Sequence, residues 1–169
     1  MISENLFGKG FVYEGDILMP DGTVIANGRD LNLVPQVGIN HLAALLRGTG
    51  TPISSWYIGV FEGNFVPTSA TTAANLQINA QESQAYSESA RPEWNETYDG
   101  VSVITNLNNR AEFSFTANKR LYGAFLISSA TKGGDSGVLL SIARFGSPYD
   151  VPAGTTFRLA ISTTLLPTL

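Results

Sequence analysis

Three residue types in this chain are the raw material for activating a nucleophile. Ser136 sits in Gly133-Gly134-Asp135-Ser136-Gly137-Val138, the only histidine is His41, and Asp99 falls between them in sequence. A serine hydroxyl attacks a carbonyl when a neighbouring base takes its proton and a third group holds that base, so the chemistry in question is acyl transfer. The order His, Asp, Ser is one that hydrolases use. The elements that carry the three residues decide whether they can meet.

Those elements speak for a loop, a helix and a turn. RLYGAFLIS and GVLLSIARF are continuously apolar, as central strands are, and the polar turn SATKGGDS joins them. Gly133, Gly134, Asp135, Ser136 and Gly137 are ordinary residues for such a connection. The motif resembles that of trypsin-like serine proteases, where a further glycine lets backbone amides approach the substrate oxyanion; here Val138 follows and begins the next strand. His41, in NHLAALL, falls on a helix away from the Ile39, Leu42, Leu46 stripe and points to solvent or a partner. Asp99 lies in Tyr-Asp-Gly, where aspartate caps backbone amides. A serine hydrolase is therefore the remotest of the functional readings.

Composition narrows the rest. At 169 residues the chain is long enough to bury roughly two thirds of the surface its unfolded form exposes, and it contains no cysteine. Thiolate catalysis, zinc sites built on cysteine and disulfides are excluded. One histidine without a spaced carboxylate set predicts no metal, and the lack of a phosphate-cradling glycine loop predicts no cofactor. Arg29, Arg47, Arg110, Arg144 and Arg158 are scattered singly, so no nucleic-acid partner is expected. The net charge of −4 is concentrated between Glu82 and Asp99, where Glu82, Glu88, Glu93, Glu96 and Asp99 outnumber Arg91; this stretch reads as a solvated acidic loop. The opening MISENLFGKGF is no secretory signal and no run reaches a membrane span, so a soluble chain without a membrane partner is expected.

Along the chain, GDILM and GTVIA flank Pro20-Asp21-Gly22 and predict a hairpin, preceded by an extended arm. Leu31, Leu33 and Val34 carry a short strand to Pro35. VGINHLAALLRG follows as the one short helix, at about residues 36–47, with an apolar stripe of Ile39, Leu42, Ala43, Leu45 and Leu46. SSWYIGVFEGNF reads as a buried strand ending in a turn. Ala111, Phe113, Phe115 and Ala117 alternate with polar residues, as do Phe157, Leu159, Ile161, Thr163 and Leu165, the period of a strand with one wet face. Between residues 66 and 100 the pattern dissolves, leaving room for one or two short strands around 77–87 and a functional loop. The prediction is an all-β protein, with residues 1–30 as arm and hairpin and residues 31–169 as a single β-sandwich domain containing a long irregular acidic segment at 66–100.

VPQVGINHLAALLRG followed by SSWYIGVFEGNFVP, and then RLYGAFLISS, GVLLSIARF and VPAGTTFRLAIS, resemble small virion structural proteins of tailed bacteriophages that decorate or cement a capsid. The likeness covers roughly residues 31–66 and 110–165 and is one of strands and glycines, without an active-site signature. It implies a jelly-roll-like antiparallel β-sandwich that forms a homotrimer at capsomer junctions, binds the major capsid protein on the capsid surface after synthesis in the host cytoplasm, and is not an enzyme. A carbohydrate- or receptor-binding β-sandwich of a tail or baseplate is the alternative. Aromatic anchors supply most interface energy, so the contact candidates are Phe7, Phe11 and Tyr13 on the arm and Phe65, Tyr86, Trp94 and Tyr98 around the irregular middle. Trp94, among Glu93, Asn95 and Glu96, leads them.

Overall fold

In the computed structural model residues 10–165 are described, apart from the side chains of Ala26 and Asn27. The elements are β1 (Phe11–Leu18), β2 (Val24–Leu31), α1 (Gln36–Leu46), β3 (Tyr57–Phe61), α2 (Ala74–Ile78), β4 (Thr97–Tyr98), β5 (Val103–Thr105), β6 (Ala111–Ser114), β7 (Lys119–Ile127), β8 (Leu139–Val151) and β9 (Thr156–Thr164). They form an all-β domain of two antiparallel sheets with short helical insertions. The larger sheet runs β2-β1-β9-β5-β4 with β6 also on β9, and the smaller runs β3-β7-β8.

β9 is the hub of the larger sheet. One edge pairs with β1 over eight residues, from Phe11 opposite Thr163 to Leu18 opposite Thr156. The other edge is shared, β6 taking Thr156 to Leu159 and β5 taking Ser162 to Thr164. The alternation seen in sequence sends Phe157, Leu159 and Ile161 inward, where they meet Ile58 and Val60 of β3, Leu121 and Leu126 of β7 and Phe145 and Val151 of β8 in one cluster. Edge-on aromatic packing of Tyr149 with both Phe145 and Phe157, each at 5.0 Å between ring centroids, joins the sheets at one end.

The smaller sheet lacks alternation because both of its faces are covered. Its second face buries Phe61, Phe125, Ile127, Leu139 and Ile142 beneath Ala73, Leu76 and Ala80, which come from α2 and its flanks. Two glycines make the tight packing possible. Gly59 pairs across strands with Phe125 and Gly123 with Phe61, and each phenyl ring lies over the bare backbone where a Cβ would stand.

Several sequence expectations change here. Phe11 and Tyr13 belong to β1 and not to an arm: both are buried, and the Tyr13 hydroxyl bonds with Ser141 Oγ at 2.9 Å. Leu33 makes only an isolated bridge, to Ile142. Residues 77–87 hold no strand; α2 occupies the start, and isolated bridges tie Glu82 to Phe61 and Tyr86 to Phe115. The acidic segment is not uniformly solvated, because Glu82 and Arg91 are both buried. Ala117 is exposed in a bend just past β6, so the inward alternation ends at Phe115.

Candidate interaction surface

The loop at 128–138 is organised by that buried pair. Arg91 forks onto Glu82, Nε to Oε1 at 2.8 Å and Nη2 to Oε2 at 2.7 Å, with both side chains fully buried. Its guanidinium also donates to the carbonyls of Ser129 and Gly134, both at 2.9 Å, and the Gly133 N–H donates to Glu82 Oε2 at 3.1 Å. The glycine-rich motif is thus a turn clamped from beneath, with Ser136 exposed. Asp99 lies at the β4–β5 turn, where Oδ1 accepts the N–H groups of Val101, Ser102 and Val103 at 2.8–2.9 Å; these bonds hold its carboxyl below the usual carboxylate range. The His41 ring stands edge-on to Trp56, with centroids 5.6 Å apart, and its Nε2 has no hydrogen-bond partner among the described residues. The three residues are not linked into the relay that acyl transfer requires.

The helix α1 stands where the sequence predicts it. Pro35, at φ −71° and ψ 165°, sets the start of the helix, and Gly48, at φ +67°, ends it in the left-handed conformation that favours glycine. Gly38 is its only fully buried residue. A Cβ there would lie 2.6 Å from the Leu140 carbonyl oxygen, so glycine alone lets the helix backbone approach β8 this closely. The helix docks through this first turn, and its apolar stripe is not sealed in the core: Ile39 is 47% exposed and Leu46 84%. Ile39, Leu42, Ala43 and Leu46 line one side of an open groove of about 400 Å³, with Gly10, Phe11, Trp94, Ile104 and Leu165 also lining it. Among the described residues that line it, only Thr163 and the Trp94 indole carry a polar side-chain atom, and none is charged. A groove of this size and character suits an apolar segment of a partner.

Most of the predicted contact aromatics are used internally. Tyr86 is buried edge-on to Phe113 at 5.1 Å, with Lys132 Nζ 4.1 Å from its ring centroid. Trp94 is buried, donates from Nε1 to the Ile161 carbonyl at 3.0 Å and packs edge-on with Phe11. Phe65 is half-buried against Phe61, Tyr98 is exposed on β4, and Phe7 lies outside the described residues. A large ring in a long connection gains most by pinning that connection to its own domain, which is what Tyr86 and Trp94 do. Phe11 and Trp94 still present an edge to the groove, so the structure brings these two together with the α1 stripe. The stripe itself is legible in the sequence; that it lines a groove is what sequence reasoning missed, and the signal for it is Gly38 inside an otherwise good helix.

A separate cleft of about 520 Å³ is polar, lined by Asn95, Asn108, Asn109, Arg110, Glu112 and Arg158 among others, and holds no aromatic side chain. Among the described residues no group of three histidines or carboxylates is placed to hold a metal ion, and no helix is long and apolar enough to cross a membrane. No protein-family model, curated protein or solved structure matches the chain.

Proposed function

We propose that this protein is a non-enzymatic virion structural protein of a tailed phage, a capsid decoration or cement protein that binds the major capsid protein. In this reading the two sheets form a jelly-roll-like sandwich and three copies sit at a capsomer junction. The likeness of residues 31–66 and 110–165 to such proteins supplies the class. The observation that carries a contact function is the uncharged groove beside α1, an apolar surface that the described residues leave open. A protein that binds only the assembled shell stabilises it by mass action and needs surface and shape for this, with no chemistry. The clamped turn around Ser136, and the engagement of Asp99 with backbone amides, weigh against the hydrolase. The sugar-binding alternative loses Tyr86 and Trp94 as stacking platforms, since both are buried.

The test is sedimentation with empty shells of the cognate phage. Ile39→Asp and Leu46→Asp change exposed positions, so the fold should survive. An unpaired charge in an apolar contact costs more than about 1.4 kcal/mol, so shell affinity should fall at least about tenfold. Undiminished occupancy by both variants would remove the groove from the mechanism. A trimer by light scattering supports the three-fold arrangement.

A further inference from the structure

We propose that the outer face of the larger sheet carries a binding site for a neutral oligosaccharide, independent of the groove beside α1. Three polar clefts run together on this face. The cleft lined by Asn95 and Asn108 shares Arg110 with a second of about 520 Å³ that holds Glu14 and Asp16. The second shares Gly28 and Arg29 with a third of about 380 Å³ that reaches Ser147. Strand register sets their order. Glu112 of β6 lies opposite Arg158 of β9, Arg158 opposite Asp16 of β1, and Glu14 of β1 opposite Arg29 of β2. Alternation turns these side chains outward, because the adjacent Phe113, Phe157, Ile17 and Tyr13 belong to the core. The clefts thus form one trough across four strands, roughly 14 Å at the spacing of a sheet.

The chemistry of the trough is that of hydroxyl recognition. The buried Asp16 grips Arg158, Nε to Oδ1 at 2.7 Å and Nη2 to Oδ2 at 3.0 Å, and Arg110 Nη1 donates to the Glu14 carbonyl at 2.7 Å. Two guanidinium groups are therefore held in fixed positions along it. Beside them Glu93, Asn95, Asn108 and Glu112 are exposed, and their side chains have no hydrogen bond to another described residue. An amide donates and accepts, a carboxylate accepts, a guanidinium donates, and a sugar hydroxyl does both, so this set can satisfy neighbouring hydroxyls without an aromatic ring to stack on. Charge decides between ligand classes. Glu14, Asp16, Asp30, Glu93 and Glu112 face three arginines along the trough, so a nucleic acid or an acidic glycan is repelled and a neutral chain is not. A peptide is less well served. The trough crosses the strands and follows no free edge, so an extended backbone has no ladder to join.

The test applies the full chain to an array of neutral hexose oligomers with α and β linkages, beside sialylated and sulfated glycans and a lysine-rich peptide. Retention by at least one neutral oligomer, and none by the acidic glycans, is expected. The best neutral oligomer then serves as titrant in calorimetry. Asn95→Ala/Asn108→Ala removes two hydrogen-bonding side chains at exposed positions, so affinity should fall at least about fivefold while the urea midpoint stays unchanged. Leu46→Asp, in the groove, should leave sugar affinity as it is, so the fate of the groove as a shell contact and the fate of this site are read separately. No retention by any neutral oligomer overturns the proposal, as does retention confined to acidic glycans or to the peptide. Sugar affinity that ignores the asparagine changes overturns the trough as the site, and a fall with Leu46→Asp would then assign the sugar to the groove.

Discussion

Arg91 holds a charge with no exposed side-chain surface, with the carbonyls of Ser129 and Gly134 against it and a phenyl ring beside it: its guanidinium carbon lies 5.2 Å from the Phe125 ring centroid. Burying such a charge is tolerable only because Glu82, Ser129 and Gly134 satisfy it together. Removing one partner strands the other. Arg91→Ala should destabilise the protein by about 3–5 kcal/mol, because Glu82 is left charged and unpaired in the interior. Arg91→Met/Glu82→Met should cost clearly less than the single change, and urea unfolding of the set measures the difference. Equal losses for single and double variants would show that the pair acts through packing alone. This site was half legible in sequence. Arg91 stood out as the lone base among five acids, but nothing in local spacing said that Glu82, nine residues away, would be buried with it.

At the scale of elements, strands were read from alternation and apolar runs, because a half-buried sheet imposes period two and a doubly covered one does not. β9 and β6 follow the first rule and β3, β7 and β8 the second. What the pattern did not show is why Gly59 and Gly123 sit in buried strands. Each is the partner of a phenylalanine across the β3–β7 ladder. At Gly123 a Cβ would meet both the Phe61 ring and the Ala143 carbonyl, and the backbone of β8 cannot yield. Gly123→Ala should therefore lower stability by about 1–3 kcal/mol, visible as a lower urea midpoint with unchanged slope. A neutral result would mean that the ladder slides to make room. The apolar stripe of α1 was legible from its spacing, but where it faces was not. Periodicity reports that a helix has an apolar side and is silent on what covers it.

For the whole molecule, the shared core sets the response to alkali. Burial holds the Tyr13 phenol far above its ordinary range despite its bond to Ser141, and burial with the nearby Glu82 charge does the same for Tyr86. Burial, with the Asp30 and Asp16 charges, pushes Tyr149 up to about 12. Above about pH 10 the unfolded chain has lost phenolic protons that the native state keeps, so it binds fewer protons and stability falls as pH rises. The contribution is complete below pH 10 and is lost through pH 12 and beyond. Tyrosinate absorbance from these three residues should then appear together with loss of near-ultraviolet circular dichroism in an alkaline titration; absorbance that precedes unfolding would place the phenols in contact with water. The sequence by itself determined the strand-rich class, the hairpin at Pro20-Asp21-Gly22, the helix bounds between Pro35 and Gly48 and the turn character of the Ser136 motif, since each follows from contacts or backbone limits within a few residues. Tertiary structure alone decided that β1 pairs with β9 at the far end of the chain, that Trp94 and Tyr86 turn inward, and that the α1 stripe faces an open groove. These depend on which surfaces meet after the chain has folded back on itself, and a residue's type states its preference for burial without naming the neighbour that provides it.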